Sequence, residues 1–179
     1  MNCSIQIKDK TFCPMISQAD IQQAVKAVAE QINNELAGEN PLFIGVLNGA
    51  FMFMGDLMKN VNIPCEITFV KLSSYNGITS SGKVKEVMGL AENVEGRTVV
   101  VVEDIVDTGL TMQQIINNLT LRKPKQIKTA TFLQKPEAMK CDIKIDYVAM
   151  SIPNEFIVGY GLDYDGYGRN LRDVYVIKN

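Results

Sequence analysis

Hydrophobic residues recur with a helical period near the beginning of the chain. Five apolar residues are spaced three or four positions apart, namely Ile21, Val25, Val28, Ile32 and Leu36. This spacing is typical of one buried face of an α-helix. Ser17 with Asp20 three residues later predicts a capping-box start, and Gly38 predicts the end.

Short continuous apolar runs follow, and they predict buried β-strands that alternate with further helices. The runs are residues 41–47, 66–72, 127–133, 147–152 and 174–177, with a shorter apolar segment at 156–160. Helical patterns cover residues 51–59 and 110–121, and the second is expected to end near Pro124. Alternating strands and helices predict an α/β fold with a parallel sheet, in which ligands bind beyond the carboxyl ends of the strands.

The strongest strand signal is the run of four valines at residues 99–102, which is typical of a strand buried on both faces. Glu103 and Asp104 follow this run, and a third acid, Asp107, comes directly before the Thr-Gly-Leu-Thr sequence of residues 108–111. Since a helical pattern begins there, its backbone N–H groups are expected to bind a phosphate.

Acids beside a phosphate site would repel the ligand unless they meet neutral hydroxyl groups or unless Mg²⁺ lies between them and the phosphate. Acids next to a phosphate site therefore indicate a ligand that is a phosphorylated sugar with a free diol. For any single acid, a solvated turn after a buried strand remains an alternative. Neither the G-x-x-x-x-G-K-[ST] nor the G-x-G-x-x-G phosphate loop occurs in the chain.

The composition restricts the class of protein and its chemistry. The chain has 179 residues, 46% of them hydrophobic, and a net charge of -2, which predicts one globular domain and gives no reason to expect nucleic-acid or membrane binding. The first ten residues lack the apolar core of a signal peptide, so a cytoplasmic location is expected.

The chain contains no histidine, and its four cysteines form no C-x-x-C pair. We therefore expect reduced thiols and no zinc site. Ser-His-Asp and Cys-His catalysis are excluded, and any general base must be a carboxylate, a lysine or a tyrosine.

Residues 99–111 resemble the 13-residue signature of the type I phosphoribosyltransferase family. The resemblance continues from about residue 42 to the C-terminus, most closely to members that use 6-oxopurines. It is carried by residues 47–49, 74–75, 135, 156–160, 162–164 and 169. It implies a central, mostly parallel sheet flanked by helices, with a small hood built from the N- and C-terminal segments.

The resemblance implies a purine-salvage reaction. A 5-phosphoribosyl group would pass from phosphoribosyl pyrophosphate (PRPP) to hypoxanthine or guanine, giving IMP or GMP and pyrophosphate. The family uses Mg²⁺ and usually forms homodimers or homotetramers. PRPP would bind before the purine.

The resemblance also assigns roles to the acids. Glu103 and Asp104 would accept hydrogen bonds from the ribose hydroxyls, and Asp107 would accept the proton from purine N7. Glu103 and Asp163 would lie at the Mg²⁺ site.

The phosphate-binding roles fall on three segments. The 5-phosphate would be bound by Thr108, Gly109, Leu110 and Thr111. Arg169 would hold pyrophosphate oxygens, because its planar fork suits an oxyanion. The Asn48-Gly49 loop would present backbone N–H groups to pyrophosphate, in the family often through a cis peptide.

The base-binding roles fall on Lys135, Phe156 and Ile157. Lys135 donates hydrogen bonds only, so it would favour a 6-oxo group and oppose the 6-amino group of adenine. Phe156 would stack on the purine, and Ile157 would act through its backbone carbonyl. Without the resemblance, Lys135 would be read as a surface lysine and Phe156 as a core residue.

The Ser/Gly-rich segment 73–86 is expected to be a mobile loop or an extended hairpin arm. Within it, Ser74 and Tyr75 would close over the site and exclude water.

The sequence departs from the family at two positions. Asn48 and Leu110 stand where some relatives have lysine, so two positive charges near phosphates are missing. Lys71 is a candidate for replacing part of this charge near pyrophosphate.

The sequence leaves two alternative functions open. A xanthine-preferring transferase would share the Lys135 contact, because that contact accepts any 6-oxopurine. A nucleotide-sensing regulator with the same fold would bind RNA or DNA. The net charge of -2 and the base-site set of Lys135, Phe156 and Asp163 favour the enzyme.

Overall fold

The computed structural model describes residues 4–73 and 85–178. The expected closing residues Ser74 and Tyr75 lie outside the described residues, as does most of the 73–86 segment.

Ten strands and three α-helices make up the described part of the chain. In order they are β1 (Ile5–Ile7), β2 (Lys10–Ile16), α1 (Gln18–Glu35), β3 (Leu42–Leu47), α2 (Phe51–Asn60), β4 (Glu66–Ser73), β5 (Lys85–Met88), β6 (Thr98–Val106), α3 (Leu110–Thr120), β7 (Gln126–Gln134), β8 (Tyr147–Ser151), β9 (Ile157–Val158) and β10 (Val174–Ile177). A 3₁₀ turn, Pro136–Ala138, lies between β7 and β8.

The central sheet has six strands in the order β5-β4-β3-β6-β7-β8. All neighbouring pairs from β4 to β8 are parallel, and β5 pairs antiparallel with β4 at one edge. The predicted parallel sheet is therefore confirmed. The carboxyl ends of β3, β6 and β7 lie side by side, because these three strands are neighbours in the sheet.

The four consecutive valines of β6, residues 99–102, are completely buried, as their run predicted. Val100 and Val102 pack in the core beneath α1 and α2, whereas Val99 and Val101 pack on the opposite face with residues of α3. Burial on both faces explains why this strand lacks the alternation of polar and apolar residues.

Strand β6 continues past the acids that were expected to end it. It runs through Glu103 and Asp104 to Val106, because its main chain keeps pairing with β7 up to Val106 and Gln134. Main-chain hydrogen bonds do not depend on side-chain polarity, so the acids are held on a rigid strand.

A second sheet, antiparallel and in the order β1-β2-β10-β9, forms the hood. It combines the N-terminal hairpin with C-terminal strands, which confirms the implied hood. The hydrophobic pattern alone did not predict the β1–β2 hairpin, since its strands are partly exposed and mostly not apolar runs.

Helix α1 begins as predicted. Ser17 is its N-cap, and the Ser17 hydroxyl accepts a hydrogen bond from the backbone N–H of Asp20. Cys13, Cys65 and Cys141 are free thiols, as expected. Within the two described ranges, no helix combines the length and the apolar character needed to cross a membrane.

Candidate active site

A cleft of about 320 Å³ opens at the carboxyl edge of the central sheet. It lies between the loop after β3, the end of β6 and the segment before β10. Its lining includes all the residues assigned to ribose and pyrophosphate, together with Thr111 from the 5-phosphate segment and Asp163 from the Mg²⁺ site. The residues assigned to ribose and pyrophosphate are Asn48, Gly49, Glu103, Asp104 and Arg169. The fold therefore brings together residues that are up to 121 positions apart in sequence.

Glu103 and Asp104 lie in this cleft with little access to water. The Glu103 side chain is only 7% exposed. Burial raises the pKa of Glu103 well above its ordinary value, and the neighbouring Asp104 raises it further. Burial also raises the pKa of Asp104, although the backbone N–H of Ile105 and the charge of Arg169 partly offset this. Two buried acids of this kind suit a ligand that brings hydroxyl donors or a cation.

The loop after β3 lies against Asp104. The peptide bond between Leu47 and Asn48 is cis, the conformation that the resemblance implied. A Cβ atom on Gly49 would lie 1.5 Å from Oδ2 of Asp104, so no side chain fits at this position. The backbone of the loop is therefore in direct contact with an acid of the cleft.

A smaller cavity of about 80 Å³ lies next to the cleft, at the N-terminus of α3. Asp107, Thr108, Gly109 and Thr111 line it together with Glu103. Gly109 has a φ of +80°, which a glycine adopts without strain. The first N–H groups of a helix have no acceptor within the helix, and such groups favour an anion. Phosphate binding at this loop stays a prediction, and the cavity at the helix N-terminus supports it.

Asp107 and Lys135 form an ion pair across the ends of β6 and β7. Nζ of Lys135 lies 3.3 Å from Oδ2 of Asp107. The backbone N–H of Lys135 also donates to the carbonyl of Val106, at 3.0 Å. Lys135 is only 7% exposed, so the interpretation as a surface lysine is wrong. A buried ammonium group next to a half-exposed carboxylate can donate to one ligand atom while the carboxylate accepts from another.

Asp163 and Arg169 lie in the same cleft and bind each other. One Nη of Arg169 is 2.7 Å from Oδ1 of Asp163, and the other donates to the carbonyl of Gly161 at 2.7 Å. Oδ2 of Asp163 accepts from the backbone N–H of Gly166. These contacts fix the guanidinium group at the rim of the cleft, where an anion would meet it.

Phe156 lies in the hood, half exposed, at 45%. Its ring contacts Tyr164 edge-on and packs near Phe12, with centroid distances of 5.8 and 6.2 Å. The core interpretation of Phe156 is therefore wrong, and part of the ring is free to stack on a ligand. Ile157 has a buried side chain, so only its main chain is available for the assigned role.

The two departures from the family are both at the site. Asn48 lines the cleft, and Leu110 is half exposed as the first residue of α3. Lys71 pairs in register with Leu47, the residue before Asn48, which places it beside the loop after β3.

The acids suit a divalent cation that takes some of its ligands from the substrate. Three carboxylates line the cleft, those of Glu103, Asp104 and Asp163. In the described ranges, no group of three or more acidic or sulfur ligands is close enough to form a complete metal site. Mg²⁺ commonly uses one or two carboxylates together with substrate phosphates, so this donor set fits Mg²⁺ bound with a pyrophosphate group.

Sequence reasoning missed the contact between Gly161 and the loop after β3. A Cβ on Gly161, whose φ is +100°, would lie 2.1 Å from the carbonyl oxygen of Gly49. The Gly-Tyr-Gly sequence of residues 159–161 was the available signal, because closely spaced glycines indicate a tight turn.

Comparison with known proteins gives the family of this chain. Residues 17–165 match the phosphoribosyl transferase domain family. The hypoxanthine-guanine phosphoribosyltransferase of Aquifex aeolicus is 40% identical over 97% of this chain and 99% of its own length. That of Bacillus subtilis is 44% identical over 92% of both chains. A crystal structure of a hypoxanthine-guanine phosphoribosyltransferase from Bacillus anthracis superposes with a TM-score of 0.88 at 40% identity, covering 97% of this chain and all of that one.

The chain belongs to the phosphoribosyltransferase family. Within this family of enzymes, it groups with the hypoxanthine-guanine phosphoribosyltransferases.

Proposed function

We propose that this enzyme transfers the 5-phosphoribosyl group from PRPP to hypoxanthine or guanine, giving IMP or GMP and pyrophosphate. The observation that carries the proposal is the arrangement of three subsites along one sheet edge. An acid pair lies in the cleft, a small cavity lies at the N-terminus of α3, and the Asp107–Lys135 pair lies between the ends of β6 and β7. A sugar phosphate, a pyrophosphate group and a purine need these three kinds of contact.

The PRPP part of the substrate would be bound by groups of matching charge. The N–H groups and hydroxyls of residues 108–111 would bind the 5-phosphate, and Glu103 and Asp104 would accept from the ribose hydroxyls. Arg169 and the backbone of Asn48 and Gly49 would hold the pyrophosphate. Glu103 and Asp163 would hold Mg²⁺, which would neutralise charge on the pyrophosphate leaving group.

The purine would bind at the Asp107–Lys135 pair. Lys135 would donate to the 6-oxo oxygen. Asp107 would accept the proton from N7 while N9 bonds to C1 of the ribose and the bond from C1 to the pyrophosphate oxygen breaks. Phe156 would stack on the base, and the Ile157 carbonyl would accept from the 2-amino group of guanine. Since Asp107 already accepts from Lys135, the two groups are positioned for this exchange before the base arrives.

The decisive experiment measures nucleotide formation from PRPP and MgCl₂ with hypoxanthine, guanine, xanthine and adenine offered separately. We expect rapid turnover of hypoxanthine or guanine and no turnover of adenine. Turnover mainly of xanthine would replace the proposed substrate. Binding of PRPP without turnover of any base would overturn the enzyme and favour the nucleotide-sensing regulator.

Lys135→Gln tests the specificity contact. Glutamine both donates and accepts, so the ratio of kcat/KM for hypoxanthine over adenine should fall at least about tenfold. Lys125→Gln is the matched control, because Lys125 precedes β7 at its opposite end and pairs with Glu39. An unchanged ratio in Lys135→Gln would remove Lys135 from the base site.

Assembly and location stay predictions. We propose a homodimer or homotetramer in the cytoplasm, supported by the family membership alone. Light scattering of the purified enzyme measures its oligomeric state, and a monomer would contradict the proposed assembly.

A further inference from the structure

A tyrosine occupies an unfavourable backbone position next to the cleft. Gly159, Tyr160 and Gly161 have φ values of +104°, +47° and +100°. Gly159 and Leu162 exchange both main-chain hydrogen bonds, at 3.0 and 3.1 Å, so Tyr160 and Gly161 are the central residues of a two-residue turn. Such turns with two positive φ values favour Asn-Gly or Gly-Gly. A left-handed conformation is unfavourable for a side chain like tyrosine, so other contacts must hold Tyr160 there.

The side chain of Tyr160 supplies these contacts. It is 1% exposed, and its hydroxyl donates to Oδ2 of Asp56 at 2.8 Å. Its ring lies 4.7 Å from the ring of Phe132, centroid to centroid. Asp56 belongs to α2, which begins directly after the Asn48-Gly49 loop, and Phe132 belongs to β7, the strand that leads to Lys135. Tyr160 therefore joins the turn to the two elements that carry site residues.

The backbone of the same turn contacts the residues assigned to pyrophosphate. Gly161 lies against the carbonyl oxygen of Gly49 so closely that no Cβ fits. The carbonyl of Gly161 accepts from Arg169, and the N–H groups of Tyr160 and Gly161 donate to the carbonyls of Leu171 and Arg169, both at 2.9 Å. Arg169 is thus bound to the turn through both its side chain and its backbone.

Asp56 is itself a fixed acceptor. Oδ2 also accepts from Gln22 of α1, at 2.5 Å, and Oδ1 accepts from Lys59 at 2.8 Å. Burial acts to raise the pKa of Asp56, but the hydrogen bonds from Lys59, Gln22 and Tyr160 outweigh it and leave the pKa below its ordinary value. The carboxylate therefore stays charged at neutral pH, when it accepts most strongly.

We propose that Tyr160 and Asp56 are positioning residues that hold Gly49 and Arg169 at the distance needed to bind pyrophosphate. Neither residue lines the cleft. They act through the turn. The hydrogen bond between Tyr160 and Asp56 fixes the turn on α2, and the turn contacts Gly49 on one side of the pyrophosphate site and Arg169 on the other. The inference rests on the proposed function, since it assumes that this part of the cleft binds the pyrophosphate group of PRPP.

Tyr160→Phe tests the inference, with Tyr147→Phe as the matched control. Tyr147 is also buried, and its hydroxyl also donates to a carboxylate at 2.8 Å, that of Glu35, but it joins β8 to α1 away from the cleft. Both variants keep the aromatic ring and lose one hydroxyl–carboxylate hydrogen bond. Both should lower Tm by about 2–4 °C, the shift expected for the loss of one hydrogen bond in a chain of this size.

The binding constants separate positioning from stability. In Tyr160→Phe, we expect two constants to rise about tenfold. One is the Kd of inorganic pyrophosphate in the presence of MgCl₂, measured by calorimetry, and the other is the KM of PRPP. The KM of hypoxanthine should stay within about twofold. In Tyr147→Phe, all three constants should stay at the wild-type values. Asp56→Asn keeps an acceptor oxygen for Tyr160, so its pyrophosphate Kd should rise less than that of Tyr160→Phe.

Two results would overturn the positioning role. One is a pyrophosphate Kd in Tyr160→Phe within twofold of wild type despite the lower Tm. The other is equal weakening in Tyr147→Phe. If wild-type enzyme binds pyrophosphate but forms no nucleotide, the proposed function fails instead, and the comparison of pyrophosphate Kd values still decides the positioning role.

Discussion

Gly49 lies so close to Asp104 that the identity of this one residue decides the shape of the cleft. The space between its Cα and Oδ2 of Asp104 admits a hydrogen but no methyl group, because a Cβ would lie 1.5 Å from that oxygen. Either the loop or the carboxylate must move to accept a larger residue, and both belong to the site.

Gly49→Ala should raise the KM of PRPP by at least about tenfold, as expected when groups that bind substrate are displaced. Steady-state kinetics with varied PRPP measures this change. Gly55→Ala is the control, because a Cβ at Gly55 meets nothing within 4 Å. Wild-type PRPP kinetics in Gly49→Ala would show that the loop does not contact substrate.

Asp107 is the assigned general base, and its removal should affect turnover more than binding. In Asp107→Asn, the amide still accepts a hydrogen bond from Lys135 but cannot take a proton at neutral pH. We expect kcat to fall about 10²–10⁴-fold, the usual value of a positioned acid–base group. The Kd of PRPP should remain within a few-fold. Lost PRPP binding with normal turnover of bound substrate would show that Asp107 is not the base.

At the scale of single elements, α2 carries a glycine with no structural role that the contacts reveal. Gly55 is exposed in the middle of the helix, with open space around its Cα. Gly55→Ala should raise the free energy of unfolding by about 0.5–1 kcal/mol, because alanine loses less backbone entropy in a helix. Urea unfolding measures the change, and activity should be unaffected.

Gly45 of β3 provides the opposite comparison. A Cβ there would lie 2.8 Å from the ring of Phe69, so Gly45→Ala should destabilise the enzyme. A loss of stability in both variants would contradict the helix-propensity explanation for Gly55.

The elements differ in how well the hydrophobic pattern predicted them. Helix α1 and strand β10 were predicted closely, because a buried helix face and a short apolar strand leave direct signals in the sequence. The β1–β2 hairpin was missed, since its strands are not continuous apolar runs and its pairing with distant β10 leaves no local pattern. Likewise, the extension of β6 to Val106 depends on pairing with β7, which no local pattern shows.

At the scale of the whole molecule, Asp56 connects α1, α2 and the turn after β9. Its folded-state pKa lies below the ordinary 3.8, so the unfolded chain takes up a proton at a higher pH than the native enzyme. The resulting stability is present above about pH 3.8 and is lost as the pH falls through the folded-state pKa.

Asp56→Asn should therefore lower the free energy of unfolding by about 1–3 kcal/mol at pH 7, the value of hydrogen bonds to a charged group. The difference from wild type should shrink as the pH approaches 3. Urea unfolding of both proteins across this range measures it. A difference that does not change with pH would show that the charge of Asp56 is unimportant.

The buried acids of the cleft should lower the stability of the ligand-free molecule. Glu103 is buried and its pKa is raised by that burial, so keeping it charged at neutral pH is unfavourable. Glu103→Gln should raise the free energy of unfolding by about 0.5–2 kcal/mol while lowering activity, a common exchange of stability for function. The exposed Glu95→Gln is the control, and equal stability changes in both variants would contradict the role of burial.

The candidate site shows the same division between local signals and distant contacts. The acids, residues 108–111 and Lys135 were predicted to lie close together, because each lies at or just beyond the carboxyl end of a strand and these ends meet at one edge of a parallel sheet. Gly161 and its contact with Gly49 were not predicted, since the two glycines are 112 positions apart and the contact is between backbone atoms.

By itself, the sequence determined the α/β class, the valine strand and the signature of residues 99–111, and this signature indicated the family. These features depend on hydrophobic period and on residues within about a dozen positions of each other. Only the tertiary structure decided that Lys135 is buried beside Asp107, that Phe156 is half exposed in the hood, and that one turn joins Gly49 to Arg169. Burial and ion pairing are properties of the packed chain, because they depend on which distant segments exclude water from each side chain.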